Sequence, residues 1–429
     1  MQFPSGSLTC TNPPCIFPNL QASAGPKPVN QNPIAVNPNN ASDVLTAGND
    51  YNCANFQGFY SSSNNGGTWT HTCSPGSKGQ GDPIVGYDLK NRAYGGGVQD
   101  SSIVVFSSSN NGATWSQLVV VTKPMLGFLA DKPWLEIDTN TSSPFANTLY
   151  VSATQTASNN NSQITVSHSI NSGKTWTTKA VDTEQVFPNE VDQFSDLSIG
   201  ADGTVYVSWL RCPATSAFQD CGGQVAEILI SKSVDHGTTW STPVVAATPT
   251  LVPDVSGCCF YGQLPNTSEP VSNVPSNAVI GSGSSALVYV CFYNWTGSQM
   301  QVEVVASSDG GATFGAPVRV ATSNTGDEFF QWINLFQTGE LGVTWLDRRN
   351  DPNNVAYQPY ATFSNTQGAS FTGNMAMSTV MSNPLNDGFS GTFMGDYRTH
   401  VWVGHSIDAV WMDTRTGVSQ DEAGGVRQK

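Results

Sequence analysis

Charge is scarce in this 429-residue chain. Only 11% of residues are charged, with 17 Lys and Arg against 32 Asp and Glu, and the formal net charge is −15. So few cations exclude a nucleic-acid or anionic-membrane surface, since both need clustered Lys and Arg. No run approaches 18 continuous apolar residues, so no membrane-spanning helix is expected. Helical periodicity is almost missing. Met1-Gln2-Phe3-Pro4 has neither the charged start nor the apolar core of a signal peptide. The five histidines (His71, His168, His236, His400, His405) are scattered without metal-ligand spacing, so no metal or cofactor site is expected. A structural calcium held by Asp and carbonyl oxygens stays open, although no EF-hand-like spacing is present.

Cysteine is not scarce. Nine of them point to an oxidising compartment and hence to a secreted protein. Cys10 and Cys15 are close in sequence, as are Cys212 and Cys221; Cys53 and Cys73 flank one hairpin. Cys258 and Cys259 are adjacent and form a candidate vicinal disulfide. Cys291 sits inside the apolar run Leu287–Phe292 and reads as a buried free thiol.

The strongest positive signal is an octapeptide that recurs six times. It runs Ser62–Trp69, Ser108–Trp115, Ser169–Trp176, Ser233–Trp240, Ser307–Phe314 and Ser364–Phe371, with the pattern S-x-[D/N]-x-G-x-[T/S]-[W/F]; Thr366 breaks the third position of the last copy. The middle Asp or Asn bonds backbone two residues on, Gly supplies a positive φ, and Ser closes the turn. The terminal aromatic is placed to pack between sheets. β-rich runs flank each copy, so each is a turn between two strands. In the clearest unit, strands at 134–138, 148–152 and 164–168 precede the octapeptide and a fourth follows at 177–181. The same beats fit 33–75, 83–123, 195–248, 277–322 and 329–382, and a seventh pair of strands covers Tyr397–Val403 and Ile407–Trp411. An all-β propeller of four-stranded blades is therefore expected, seven-bladed with a six-bladed ring as the alternative. Residues 1–30 form an N-terminal arm that supplies the closing strand of a single propeller domain at 31–429.

Blade order fixes polarity. The octapeptides share one end with the turns between first and second strands; the entries to the inner strands and the exits from the second strands lie at the other end. The reactive residues gather in the latter group. Entries include Gly81-Asp82-Pro83, Asp131-Lys132-Pro133-Trp134, Glu190–Gln193, Asp327–Trp332 and Gly395-Asp396-Tyr397-Arg398. Exits include Trp209-Leu210-Arg211, Trp345-Leu346-Asp347-Arg348-Arg349 and Trp411-Met412-Asp413-Thr414-Arg415. Carboxylates with interleaved arginines and aromatics suit a carbohydrate-active site: acids, bases or nucleophiles from Asp131, Asp327, Asp396 and Tyr397, and bidentate or cationic binding by Arg211, Arg348, Arg349, Arg398, Arg415 and Lys132. Trp134, Trp332 and Trp295 are placed to stack on sugar rings. The competing reading makes the twin W-x-D-x-R motifs structural ties and Asp82-Pro83 a strand junction. The long insertion at 248–276 lies at the same end, with Phe260 and Tyr261 as a candidate platform.

The octapeptide resembles the Asp box, or BNR repeat, of sialidases and related propellers, and with the blade rhythm the resemblance covers about residues 33–415. It implies a glycoside hydrolase with a carbohydrate substrate. Sialidases clamp a substrate carboxylate with three arginines and use a Tyr nucleophile and an Asp acid. The resemblance implies Arg398, Arg348 and Arg211 or Arg415 as the clamp, Tyr397 as nucleophile and Asp131 as acid. The F-R-I-P sequence of sialidases is absent, and no Arg stands at the first blade entry. A polysaccharide lyase with Tyr397 or His400 as base, and a non-catalytic lectin or adhesin, are the alternatives.

Overall fold

The computed structural model describes residues 14–214, 221–256, 261–336 and 338–427. They form seven antiparallel sheets, one per blade, arranged as a ring. The blades from second to sixth take their four strands in chain order. Blade 2 is Gly79–Tyr87, Ala93–Gln99, Ser102–Ser108 and Val119–Thr122; blade 3 is Leu129–Ile137, Leu149–Thr156, Ser162–Ser169 and Thr177–Ala180. Blade 4 begins at Val191–Ile199, blade 5 at Ser276–Ile280 and blade 6 at Glu328–Leu335. The seven-bladed expectation holds.

Blades 1 and 7 close the circle. Blade 1 pairs Val29–Asn30 and Ile34–Asn37 with Asn40–Asp50, followed by Gln57–Ser62 and Thr70–Cys73. Blade 7 runs His400–Val403, Ser406–Asp413 and Gln420–Arg427, the last being a strand that the octapeptide rhythm did not announce. Its outer edge is covered by Cys15–Ile16 and Leu20–Gln21 from the other end of the chain. Side chains reinforce the seam: Ser23 Oγ donates to Gln420 Oε1 at 3.0 Å and Ser419 Oγ to the Val29 carbonyl at 2.9 Å. Gln420–Arg427 is thus paired on both sides, and the blade's outer edge is reduced to two strands of two residues each.

The octapeptides are the turns between third and fourth strands. In the first copy Ser62 Oγ accepts from Gly66 N at 2.8 Å, and Asn64 Oδ1 accepts from Thr68 N at 2.9 Å. The side-chain amide thus bonds four residues on rather than two. Asn65 and Gly66 both have positive φ, 54° and 74°, and Gly at the second position relieves strain that a Cβ would add. The worn copy keeps the geometry: Thr366 Oγ1 accepts from Ser370 N at 2.9 Å and Ser364 Oγ from Gly368 N at 3.1 Å. A hydroxyl replaces the carboxamide as acceptor, which is why Thr is tolerated. The terminal aromatic joins blades. Trp115 of blade 2 packs against Phe59 of blade 1 and its own Phe106, and donates to Thr72 Oγ1 at 2.9 Å.

Second strands supply the deepest packing. Trp209, Trp345 and Trp411 are fully buried in blades 4, 6 and 7, each removing enough surface for roughly 4–6 kcal/mol of transfer free energy. Disulfides Cys53–Cys73 and Cys212–Cys221 form as the spacing suggested, and Cys291 is a buried free thiol. The expected Cys10–Cys15 and Cys258–Cys259 bonds fall outside the described residues.

Candidate functional site at the mouth of the ring

The inner strands share a local irregularity that aims side chains at the ring axis. The register slips between Gly81 and Ile84, Asp131 and Trp134, Gln193 and Asp196, and Phe329 and Trp332. Each slip holds one residue with positive φ: Asp82 at 50°, Lys132 at 48°, Phe194 at 56° and Phe330 at 49°. This is a bulge, one extra residue that bends its strand and re-aims a side chain. Non-glycine residues rarely adopt such a backbone, and they persist only where the surroundings enforce it. Pro83 and Pro133 follow two of the bulges and fix the strand restart.

These bulges bring together a cluster that no linear motif contains. Lys132 Nζ lies 3.2 Å from Asp82 Oδ1 and 2.6 Å from Asp396 Oδ2. Asp396 also accepts from Gln31 Nε2 and from Ser272 Oγ, each at 2.7 Å. Asp131 is close enough to hydrogen-bond the Asp82 carboxyl. Blades 1, 2, 3 and 7 and the 248–276 insertion therefore all contribute to one group. Its side chains are nearly enclosed but open to solvent: 18% for Lys132, 8% for Asp82 and 11% for Asp396. Burial raises the Asp82 carboxyl to about 7; Lys132 opposes the rise and the Asp131 charge adds to it. Asp82 thus keeps its proton up to about neutrality, beside a second carboxyl and one lysine. Burial disfavours the Lys132 charge, but Asp396 and Asp82 outweigh it and hold the ammonium well above its ordinary range.

Aromatic side chains frame the cluster. Trp134 and Trp332 approach to 4.6 Å between ring centroids, and Tyr397 meets Trp134 edge-on at 5.9 Å. Tyr261, from the insertion, packs on Phe194 at 4.8 Å. Among the described residues of the insertion, Leu251, Val252, Leu264 and Val271 are buried in the core shared by blades 4 to 7.

Not every predicted site residue joins. Asp131, Lys132, Trp134, Trp332, Asp396 and Tyr397 do. Tyr397, the expected nucleophile, is buried, its hydroxyl donates to the Pro83 carbonyl at 3.3 Å, and burial together with Asp82 holds its proton more tightly than usual. That hydrogen bond and the tightened proton both oppose nucleophilic use. Asp327 instead accepts from Met300 N at 2.9 Å and faces Arg348 at 3.9 Å. Arg348 is fully buried, stacks on Phe329 and donates to the Pro265 carbonyl at 2.8 Å, pinning the insertion to blade 6.

Three of the remaining arginines, Arg349, Arg415 and Arg211, are committed to nearby carboxylates. Arg349 pairs with Asp347 at 2.6 Å and Arg415 with Asp413 at 2.8 Å. Trp345 Nε1 donates to Asp347 at 2.7 Å and Trp411 Nε1 to Asp413 at 3.3 Å. The W-x-D-x-R motif is thus a tie in which the Asp satisfies both a buried indole N–H and the Arg. Arg211 pairs with Asp182 of the blade 3–4 connection and with Asp192, the latter at 2.7 Å. Arg398 is fully buried beside His400, burial lowers the pKa of both, and its chain pairs with Asn32 of blade 1. The three-arginine clamp is not assembled. Asp82 is the residue sequence reasoning passed over, and the shared x-Pro register of Asp82-Pro83 and Lys132-Pro133 was the signal for it. Among the described residues the one grouping of three potential metal ligands is Cys53, His71 and Cys73, and two of these form a disulfide.

No family model matches the sequence, and no curated protein sequence does. Solved structures do share the architecture. The polysaccharide lyase Uly1 aligns over 90% of this chain and 88% of its own, with a TM-score of 0.53 and 9% identity. A protein of unknown function from Dyadobacter fermentans aligns over 97% and 99%, with a TM-score of 0.51 and 11% identity. An α-L-arabinanase from Penicillium chrysogenum, complexed with arabinobiose, covers 81% of this chain and 92% of its own, with a TM-score of 0.49 and 11% identity. At such identities the likeness to the first two is one of fold alone: the chain, itself a seven-bladed β-propeller, shares its overall fold with them.

Proposed function

We propose that the protein is a secreted glycoside hydrolase that cleaves a glycosidic bond in an acidic or complex glycan at the mouth cluster. The single observation that carries this reading is the carboxylate group around Lys132. Asp82, raised to about 7 by burial with Asp131 beside it, suits a general acid that must protonate a leaving oxygen. Asp396, with three donors on its two oxygens, stands across the ammonium as the candidate nucleophile. The two Lys132 contacts keep one oxygen of Asp82 and one of Asp396 closer together than the roughly 6.5 Å at which inverting glycosidases begin. Retention of anomeric configuration follows. Trp134 and Tyr261 offer flat apolar faces beside the carboxylates. The two disulfides support an oxidising compartment.

The lyase reading is weaker on geometry. Of its two candidate bases, Tyr397 has a tightened proton, and His400 is buried with Nδ1 on Thr344 Oγ1 at 2.8 Å. A lectin would repeat its contacts blade by blade, whereas Gln31, Asp82, Lys132, Ser272 and Asp396 are all different. The test is incubation with sialosides, uronate polysaccharides and arabinans, following reducing ends and the absorbance of unsaturated products. Release of reducing ends, lost in both Asp131→Asn and Asp396→Asn, supports the proposal. Activity retained in both variants, or unsaturated products, overturns it.

A further inference from the structure

A cavity of about 730 Å³ runs through the ring beneath the mouth cluster, walled by the inner strands of all seven blades. It reaches the turns at the octapeptide end through Asn39, Leu89, Asn140, Ala201, Gly281 and Phe336, and Trp134 and Trp332 line the opposite end of its wall. Its volume is that of a small-molecule site, not of a packing defect. Two acids on adjacent inner strands line it: Glu136 of blade 3 and Asp196 of blade 4. Asp196 is only 2% exposed. Its Oδ2 accepts from Asn277 N at 2.6 Å, while its Oδ1 has no hydrogen-bond partner. A buried carboxylate oxygen left without a donor is costly and calls for one. No Lys or Arg is among the described lining residues to supply it.

We propose that this channel is a second ligand site, for a molecule bearing an organic ammonium group, with Asp196 and Glu136 as its anionic partners. An ammonium brings the N–H donors that Asp196 Oδ1 lacks, and its positive charge is attracted to the faces of Trp134 and Trp332. The walls show no competing cation. Asp138 is engaged by Asn140 N at 3.1 Å and by Ser143 Oγ. Of the other titratable lining residues, Tyr87 is held protonated by burial, and His400 has Nδ1 on Thr344 Oγ1 and is held neutral by burial and Arg398. A bare metal ion suits the channel less: no third His, Cys, Asp or Glu among the described residues completes a tight ligand set with this pair, and the volume far exceeds an ion. Burial raises both carboxyls to about 8, the Asp196 charge acting further on Glu136 and the Asn277 and Leu197 N–H groups opposing the rise at Asp196. Near neutrality the empty pair therefore retains protons that an arriving ammonium displaces.

The experiment is titration calorimetry of the full chain with putrescine at pH 7, in buffers of different ionisation enthalpy. One-to-one binding with proton release is expected. Glu136→Gln, which keeps the side chain's shape, should weaken it at least about tenfold, as loss of a desolvated charge partner does. Asp131→Asn at the mouth should leave it unchanged. Asp196→Asn is the harsher variant because Asp196 also anchors Asn277, so Glu136→Gln carries the decision. No binding, equal binding by Glu136→Gln, glucose binding as tightly as putrescine, displacement by calcium, or loss of binding in Asp131→Asn would each overturn the proposal.

Discussion

The two ends of the propeller treat a carboxylate in opposite ways. At the octapeptide end Asp235 and Asp309 are exposed turn residues. Asp235 is lowered to about 2, first by the Thr239 hydroxyl and then by its backbone N–H, and Asp309 is lowered by Thr313 and Ser307 in the same manner. At the mouth and along the inner strands, Asp82, Glu136, Asp192 and Asp196 are enclosed and pushed up to about 7, 8, 8 and 8, burial leading in each case. The difference is one of donors. A turn offers several N–H and O–H groups to a solvated carboxylate, whereas an inner strand takes the carboxylate out of water and offers few. Repetition follows satisfaction: the turn that meets its own needs is copied six times, and the strained, proton-holding positions occur once each.

The sharpest way to break this contrast is to change the mouth. Asp82→Asn or Asp396→Asn should lower kcat on whichever glycan of the panel is cleaved by about 10²–10⁴-fold, the usual weight of a positioned acid or base. The rate assay checks it, and a loss below tenfold would remove those carboxylates from the chemistry. Next, Lys132→Met strips the shared cation from buried acids and should destabilise the fold by about 3–5 kcal/mol in urea unfolding. A milder effect comes from pH alone. The raised carboxyls of Asp82, Glu136, Asp196 and Glu269 lend stability that is fully present below about pH 4 and is lost as pH rises from there through about 7 to 9. Tm should fall by at least about 5 °C between pH 5 and pH 9 in thermal scans. The depressed turn acids act in the opposite sense, only below pH 4. The smallest effect belongs to the turns: Ser307→Ala removes the acceptor for Gly311 N and should cost about 1 kcal/mol with kcat unchanged.

Much of the fold was legible because the octapeptide is a local device. Ser, Asx and Gly fix a turn without reference to the rest of the chain, so six copies set the blade register and the strand polarity. The third strand of blade 7 was not, because Gln420–Arg427 carries no octapeptide; it pairs with Ser406–Asp413 on one side and with residues from the other end of the chain on the other. The site was half legible. Asp131, Lys132 and Asp396 stand at strand entries and were readable from register. Arg349 and Arg415 were misdirected because a strand exit tells where the backbone lies, not whether a neighbouring Asp two residues back has already claimed the guanidinium. Tyr397 failed for a related reason, since burial changes the meaning of a hydroxyl that sequence reads as reactive. The channel pair, Glu136 and Asp196, sits in unremarkable strand interiors, 60 positions apart, and becomes visible only when adjacent blades are laid side by side.

The closing seam of blade 7 sets the order of events in folding. Strands two to four of a typical blade meet neighbours within tens of residues, but Cys15–Ile16 waits for Val426 and Arg427. Contacts so remote in sequence are entropically the slowest to form. Six blades can therefore be assembled while the circle is still an open crescent, with the Val29–Asn30 and Gln420–Arg427 strands as its free tips. In pulse-labelled hydrogen exchange the amides of Gln420–Arg427 should be the last to gain protection, and a chain trimmed of its first 28 residues should persist as an open crescent that multimerises through the uncovered edge.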